Sequence, residues 1–417
     1  MKEINELVNE CYGCVNKPCQ SGCPLNNDTT GFIKLMKEEK YKEAYELLCE
    51  TTVLQPICGR ICPHTKQCQG SCIRRFKFDS VEIGKLEAFI GDLAIKNGWK
   101  IPKNTEVKQN KKIAIIGGGP CGLTCSAFLA KEGYDVTIFE KSSKLGGIIE
   151  HGIPEFRLEK EVLENTVQKI LELGIKVKNE IELGKDLEID ELKKEYDVIF
   201  LSFGANISSK MNIEGEEKKG VYGGNELLEN KNFPEFKNKK VALIGGGNVA
   251  MDTCRTIKKL GAENVTVIYR RSEQEMPAEK KEIEDAKKEG VEFLFQTNIL
   301  KILGKDKVEK VECIKTELVQ KEGEKRLSPV NIENSNFMLD IDYVIMAVGS
   351  KVEEKLVNSL GLEITKYGNI KIDENGQTSD AQIFAGGDLV GEKSTVAWAA
   401  RSGRNAAYAI NEYLKNK

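Results

Sequence analysis

The stretch Lys112-Ile-Ala-Ile-Ile-Gly-Gly-Gly-Pro-Cys-Gly122 is a short, mostly apolar strand that runs straight into a glycine-rich turn. A helical pattern follows it, and then a second apolar strand, Val136-Thr-Ile-Phe-Glu140. The same order recurs further on. Lys240-Val-Ala-Leu-Ile-Gly245 opens a glycine turn and a helical pattern, and Val265-Thr-Val-Ile-Tyr269 closes the unit. The two copies share a pattern, not a sequence. A β-α-β unit written twice predicts an α/β protein with a parallel sheet in each block.

Gly117, Gly119 and Gly122 fill the three positions of G-x-G-x-x-G, with Pro120 opening the helix. The first glycine makes the tight turn, the second lets the backbone approach a pyrophosphate, and the third lets helix and strand pack closely. The helix N-terminus then faces the phosphates with its partial positive charge. Glu140, at the end of the next strand, is placed to accept hydrogen bonds from a ribose diol. An acid there suits FAD or NAD and repels a 2′-phosphate. Gly245, Gly247, Asn248, Val249 and Ala250 form the G-x-G-x-x-A variant. Its ribose position carries no acid; Arg270 and Arg271 follow Tyr269 instead. Guanidinium forks suit a phosphate dianion, so this second site reads as one for NADPH. A solvated basic pair is the plain alternative. One glycine loop alone is weak evidence, but two in full strand–turn–helix context, with contrasting ribose residues, are strong.

Upstream of both units the chain is rich in cysteine. Nine of its 13 cysteines fall between Cys11 and Cys72. Cys11, Cys14, Cys19 and Cys23 form C-x2-C-x4-C-x3-C, followed by Pro24. Cys58, Cys62, Cys68 and Cys72 form C-x3-C-x5-C-x3-C, with Pro63 after the second. Eight thiolates suffice for two [4Fe-4S] clusters, and a proline behind a ligand cysteine resembles bacterial ferredoxin runs. In such runs the last cysteine often serves the other cluster. The expected sets are therefore Cys11, Cys14, Cys19 with Cys72, and Cys23 with Cys58, Cys62 and Cys68. Two structural zinc sites are the alternative, but zinc favours paired C-x2-C knuckles and only one close pair exists here. His64 reads either as a group beside a cluster or as a surface histidine. Cys49 reads as a small buried residue. Cys121 and Cys125, four apart on one helix face, could form a redox disulfide, but small core residues fit better.

Composition narrows the class. The chain has 417 residues, enough for two or three domains, with 40% apolar and 30% charged residues. A formal net charge of -3 gives no electrostatic reason to expect nucleic acid or an anionic membrane as partner. No apolar run is long enough to span a bilayer, and Met1-Lys-Glu-Ile-Asn-Glu lacks a signal-peptide layout. The expectation is a cytoplasmic protein with reduced thiols.

These pieces together resemble the small (beta) subunit of NADPH-dependent glutamate synthase and its relatives. Those relatives include the flavin-binding part of dihydropyrimidine dehydrogenase and the large subunit of the NADH-dependent ferredoxin–NADP oxidoreductase. The resemblance covers nearly the whole chain. It is carried by the N-terminal cysteines, Ile57-Cys-Gly-Arg-Ile-Cys-Pro63, Gly146-Gly-Ile-Ile-Glu-His-Gly-Ile-Pro-Glu-Phe-Arg-Leu158, Gly245 to Asp252, Tyr269 to Ala278, and Ile383-Phe-Ala-Gly-Gly-Asp388. It implies a helical iron–sulfur domain followed by two Rossmann-like domains of the glutathione-reductase type. The expected bounds are 1–105 for the clusters, 106–232 with 350–417 for FAD, and 233–349 for NADPH. Gly147 and Arg157 match the family's loop beside the FAD. Gly387 and Asp388 match its second FAD motif, in which the aspartate holds the ribitol. Thr395, Val396 and Ala397 match a helix N-terminus near the flavin's pyrimidine ring. The chain departs from the family at Ser202-Phe-Gly204, where relatives usually carry Ala-Thr-Gly, and at Cys121, where they mostly have alanine.

The resemblance implies an electron-input subunit. NADPH gives hydride to FAD, and clusters carry single electrons to a partner subunit containing FMN or clusters of its own. Hydride transfer needs no general acid or base, so no catalytic side chain is expected. A dihydropyrimidine dehydrogenase subunit and a ferredoxin–NADP oxidoreductase subunit are the alternatives within redox chemistry. A cluster-bearing scaffold with a vestigial flavin site is the alternative outside it.

Overall fold

The computed structural model describes residues 2–321, 323 and 326–417. The helices used below are α1 (Gln55–Ile61), α2 (Ile83–Lys96), α3 (Pro120–Lys131), α4 (Asn248–Lys259) and α5 (Val396–Lys415). The strands of the two parallel sheets are β1 (Lys112–Ile116), β2 (Asp135–Glu140), β3 (Lys176–Asn179), β4 (Val198–Leu201), β5 (Val221–Gly223), β6 (Lys240–Ile244), β7 (Asn264–Tyr269), β8 (Glu292–Phe295), β9 (Tyr343–Met346) and β10 (Ile383–Ala385).

The chain divides into two compact units. The first comprises residues 1–150, 155–205 and 352–417. Its sheet is parallel throughout, in the order β10-β4-β1-β2-β3. In β1 every residue after Lys112 is buried, as expected of a strand covered on both faces. Helix α3 begins with Pro120 at its first position, where the missing N–H costs nothing, and all of its residues are buried. Helix α5 packs along it. A Cβ on Gly403 would stand 2.1 Å from the Cys121 carbonyl, so only glycine lets the two helices come this close.

The cysteine-rich block belongs to this same unit. The polar, aperiodic stretch Trp99-Lys-Ile-Pro-Lys-Asn-Thr-Glu106, whose composition reads as a linker, is tied down. Asn104 and Thr105 donate their amides to the Lys131 carbonyl, and Lys169 Nζ donates to the Trp99 carbonyl. Trp99 also meets the Tyr45 ring, at 6.1 Å between centroids.

The second unit comprises residues 151–154 and 206–351. Its parallel sheet runs β5-β9-β6-β7-β8. An antiparallel sheet of Thr297–Leu303, Lys310–Val319, Ser328–Asn331 and Phe337–Asp340 adjoins it in the chain. The two ends of the unit pair with each other, Ser350 to Ser208 and Lys351 to Ile207. The unit therefore starts at 206, whereas the sequence reading starts it at 233. The reason is β5, which hydrogen-bonds β9 in the second sheet. A three-residue strand has too little periodicity to reveal which sheet it joins.

Candidate functional site

The first glycine loop closes through contacts that leave no choice of residue. Gly117 has φ +99°, and a Cβ there would stand 2.8 Å from the Ser202 carbonyl. At Gly122 a Cβ would stand 2.0 Å from the Gly117 carbonyl. Gly119 differs. Its Cβ would find only the Gly147 Cα, at 3.9 Å, so the fold itself tolerates a side chain there. The space in front of Gly119 is what a pyrophosphate needs. Gly147, at φ +53°, rests on Gly119, and the Gly146 amide donates to the Gly118 carbonyl at 2.8 Å. Sequence and structure thus bring Gly117, Gly119, Pro120, Gly122 and Gly147 together.

Glu140 is 5% exposed and already engaged. Its two oxygens accept the Gly118 amide at 2.7 Å and the Ser142 amide at 2.9 Å. Each carboxylate oxygen keeps a further lone pair for a ribose hydroxyl. Ser202 Oγ donates to the carbonyls of Gly117 and Ile116, at 3.0 and 3.1 Å. The departure from Ala-Thr-Gly therefore braces the glycine loop. Arg157 is half-buried after the Gly152 turn.

Gly387 and Asp388 form a turn after β10, and Ser402 Oγ accepts the Gly387 amide at 2.9 Å. Burial, and then the Glu392 charge, push the Asp388 carboxyl up to about 6. Thr395 caps α5 by accepting the Trp398 amide, which fixes where Val396 and Ala397 begin the helix. Cys121 and Cys125 are both buried, and burial raises both thiols. Cys121 contacts Ser402 and lies against the Gly386–Gly387 turn, a packing role.

The second glycine loop repeats the logic. Gly245, at φ +140°, would place a Cβ 2.1 Å from the Ala347 carbonyl, while Gly247 has nothing within 4 Å. Asn248 Oδ1 accepts the Glu279 amide at 3.1 Å, and the Ala278 amide donates to the Gly246 carbonyl at 3.0 Å. The Met276–Glu279 segment is thereby strapped across the loop. Val249 and Ala250 lie in the first turn of α4. Arg270 is exposed, and Arg271 Nε donates to the Leu327 carbonyl at 3.0 Å. A third cation, Arg326, donates to the Glu275 carbonyl on the same loop. Sequence reading missed it because it lies far along the chain from the arginine pair.

The cysteines fall into two groups. Cys11, Cys14, Cys19 and Cys72 line one cavity, with Tyr12, Ile73 and Arg74. The other group is Cys23, Cys58, Cys62 and Cys68, which lie close enough to raise one another's thiols. Each run thus sends its last cysteine to the other run's group. Among the described residues, no three histidine, cysteine or acidic side chains converge as a single metal ion requires. Burial first, and then the Glu87 charge, push Cys23 up to about 12. A cationic cluster would draw those protons off, since iron binds thiolates.

No spacing in the sequence marks Glu87, on α2, as a neighbour of these cysteines. It is buried, and burial pushes its carboxyl up to about 8. Asn27 Nδ2 donates to it at 3.2 Å, and its charge reaches all four cysteines of the second group. Four thiols and a carboxyl stand near one another in the interior, and ionising them together there is expensive without a cation among them. His64 is half-buried, its Nε2 3.1 Å from the Cys58 carbonyl, so it packs beside this group. Cys49 lies apart from both groups and accepts from Gln55 Nε2 at 3.3 Å.

The cysteine block meets α5 at more than one point. Arg404 Nη1 donates to the Leu25 and Thr51 carbonyls, and the backbone N–H of Ala397 stands near enough to Cys62 to oppose the rise of its thiol. The helix N-terminus expected beside a flavin is therefore also in contact with a cysteine of the second group.

Residues 111–406 match the pyridine nucleotide-disulphide oxidoreductase family, and residues 2–99 match dihydropyrimidine dehydrogenase domain II, 4Fe-4S cluster. The chain is an NADPH-dependent flavoprotein oxidoreductase with an iron–sulfur domain. It is 35% identical to the glutamate synthase [NADPH] small chain of Escherichia coli (strain K12), over 98% of this chain and 91% of that one. It belongs to the glutamate synthase small-chain family. It is also 33% identical to the NADP(+)-dependent formate dehydrogenase subunit beta of Moorella thermoacetica, over 96% of this chain and 60% of that longer one. In fold it is similar to Mycobacterium tuberculosis FprA in complex with NADPH, with a TM-score of 0.66 at 18% identity, over 74% of this chain and 85% of that one.

Proposed function

We propose that this chain is the electron-input subunit of a glutamate synthase-like complex, passing electrons from NADPH through FAD and two [4Fe-4S] clusters to a separate partner. When bound, these groups supply hydride acceptance at a flavin and one-electron passage through iron–sulfur centres. Everything else is the work of the chain. Gly117, Gly119, Pro120, Gly122 and Gly147 hold the FAD pyrophosphate, and Glu140 its ribose. Arg157 flanks it, and Gly387 with Asp388 holds the ribitol. Thr395, Val396 and Ala397 present a helix N-terminus that favours negative charge on the reduced ring. Gly245, Gly247, Asn248, Val249 and Ala250 hold the NADPH pyrophosphate, and Arg270 and Arg271 its 2′-phosphate. Residues 1–105, 106–205 with 352–417, and 206–351 are the three functional blocks, the expected start of the last at 233 being moved back to 206 by β5.

The observation that carries this reading is that α5, whose N-terminus is the expected flavin-side helix end, is bonded to the cysteine block through Arg404 and brings Ala397 close to Cys62. The partner side is supported by the first group. Tyr12, Val15, Phe76 and Phe78 are exposed beside its cavity, together with Arg75 and Lys77. Exposed apolar residues concentrated in two short segments mark an interaction surface. The glutamate synthase reading is preferred because the likeness runs almost the full length of those small chains. The formate dehydrogenase beta subunit supports a second reading, in which the same input module serves a different partner.

The test is anaerobic NADPH-driven reduction of a one-electron dye. Wild-type chain should turn over, and Cys23→Ser should lose about one cluster's iron, retain FAD and reduce the dye much more slowly. Unchanged iron in Cys23→Ser would remove that residue from the ligand set. Absence of turnover with FAD bound would favour a scaffold.

A further inference from the structure

We infer that Arg404 is the fixed counter-charge of the second cysteine group and sets the reduction potential of the cluster held there. This rests on the cluster reading above. Arg404 lies on α5, two turns beyond Ala397, and is 8% exposed. Its Nη1 donates to two backbone carbonyls, Leu25 at 2.6 Å and Thr51 at 2.9 Å. Leu25 follows Cys23 by two residues, so the first of these bonds anchors the cation to the segment that carries that sulfur. The charges of Arg404 and Cys23 reach each other. Its Nε is buried with no hydrogen-bond partner among the described residues. Among those residues no carboxylate pairs with this guanidinium.

A buried guanidinium held only by neutral carbonyls is costly unless an anion lies near. The donor of the second group whose charge reaches it is Cys23, a thiolate once a cluster is bound. The other cation whose charge reaches Arg404 is Arg401, which stands over the Trp398 ring at 4.9 Å. Arg404 stays protonated at any working pH. Reduction adds one electron to the cluster and transfers no proton to or from the arginine. A fixed positive charge in a low-dielectric interior stabilises the more negative, reduced form more than the oxidised one. Removing it must therefore shift the potential downward.

The experiment is an anaerobic redox titration of the full chain, followed by EPR, with iron and FAD measured on each sample. Arg404→Gln should make reduction of one cluster at least tenfold less favourable, a fall of about 59 mV for a one-electron couple. The other cluster should be unmoved. Arg404→Lys, which keeps the charge, should stay near the wild-type potential. Unchanged potentials in Arg404→Gln with full iron would overturn the inference. So would equal falls in both variants, or loss of iron from both, since either result makes Arg404 a structural clamp. If wild-type chain itself holds no iron, the cluster reading fails first and separately.

Discussion

The two second glycines, Gly119 and Gly247, are the residues whose lack of a side chain the fold does not need. At Gly117, Gly122 and Gly245 a Cβ would collide with backbone carbonyls. That contrast separates glycines kept for packing from glycines kept for a ligand, and it yields a paired kinetic prediction. Gly247→Ala should leave the melting temperature unchanged and raise KM for NADPH and NADH together, because both carry the pyrophosphate. Changing Arg270 and Arg271 together to alanine should raise KM for NADPH by an order of magnitude or more and leave NADH nearly untouched. Steady-state kinetics with both nucleotides decides it. Equal effects of the arginine change on both would show that the pair does not read the 2′-phosphate.

At the scale of elements, α5 carries three separate duties on one rod. Its N-terminus, capped by Thr395, supplies Ala397 to Cys62; Gly403 packs on α3; Arg404 reaches Leu25 and Thr51. Gly403→Ala would push a methyl group into the Cys121 carbonyl and force the helices apart. Overpacking of this kind costs ~1–3 kcal/mol. Because the N-terminus and the middle of the displaced helix both matter, the variant should melt earlier and lose FAD and iron together. Thermal unfolding with flavin and iron assays on the same sample checks this. Loss of stability with both groups fully retained would show that α5 does not couple the two sites. The strap formed by Met276–Glu279 is a second element-scale feature. In sequence it is a run of letters after the arginine pair. Only the fold shows Ala278 and Glu279 returning to the glycine loop.

For the molecule as a whole, what could be read from the sequence was whatever lies close together along the chain. Both glycine turns, Glu140, the arginine pair and the cysteine spacings are local patterns with a direct chemical meaning. The exchange of Cys23 and Cys72 between groups was expected from the likeness of these runs to bacterial ferredoxin runs, in which the last cysteine often serves the other cluster. Glu87, Ser202, Arg326 and Arg404 escaped because each acts on a partner dozens to hundreds of residues away, and a lone charged residue has no periodicity to mark it. The boundary at 206 escaped because β5 is too short to announce its sheet. The stretch 99–106 reads as a linker because it is polar and aperiodic, whereas Asn104 and Thr105 donate their amides to the Lys131 carbonyl and Trp99 meets the Tyr45 ring.

The central claim is that one polypeptide holds a flavin and two four-iron centres together. It is tested most directly by purifying the full chain without air and measuring iron, acid-labile sulfide, zinc and flavin on the same sample. The account predicts one FAD, about eight irons and about eight sulfides per chain, with no stoichiometric zinc. Zinc in place of iron, or a colourless protein without flavin, would contradict it.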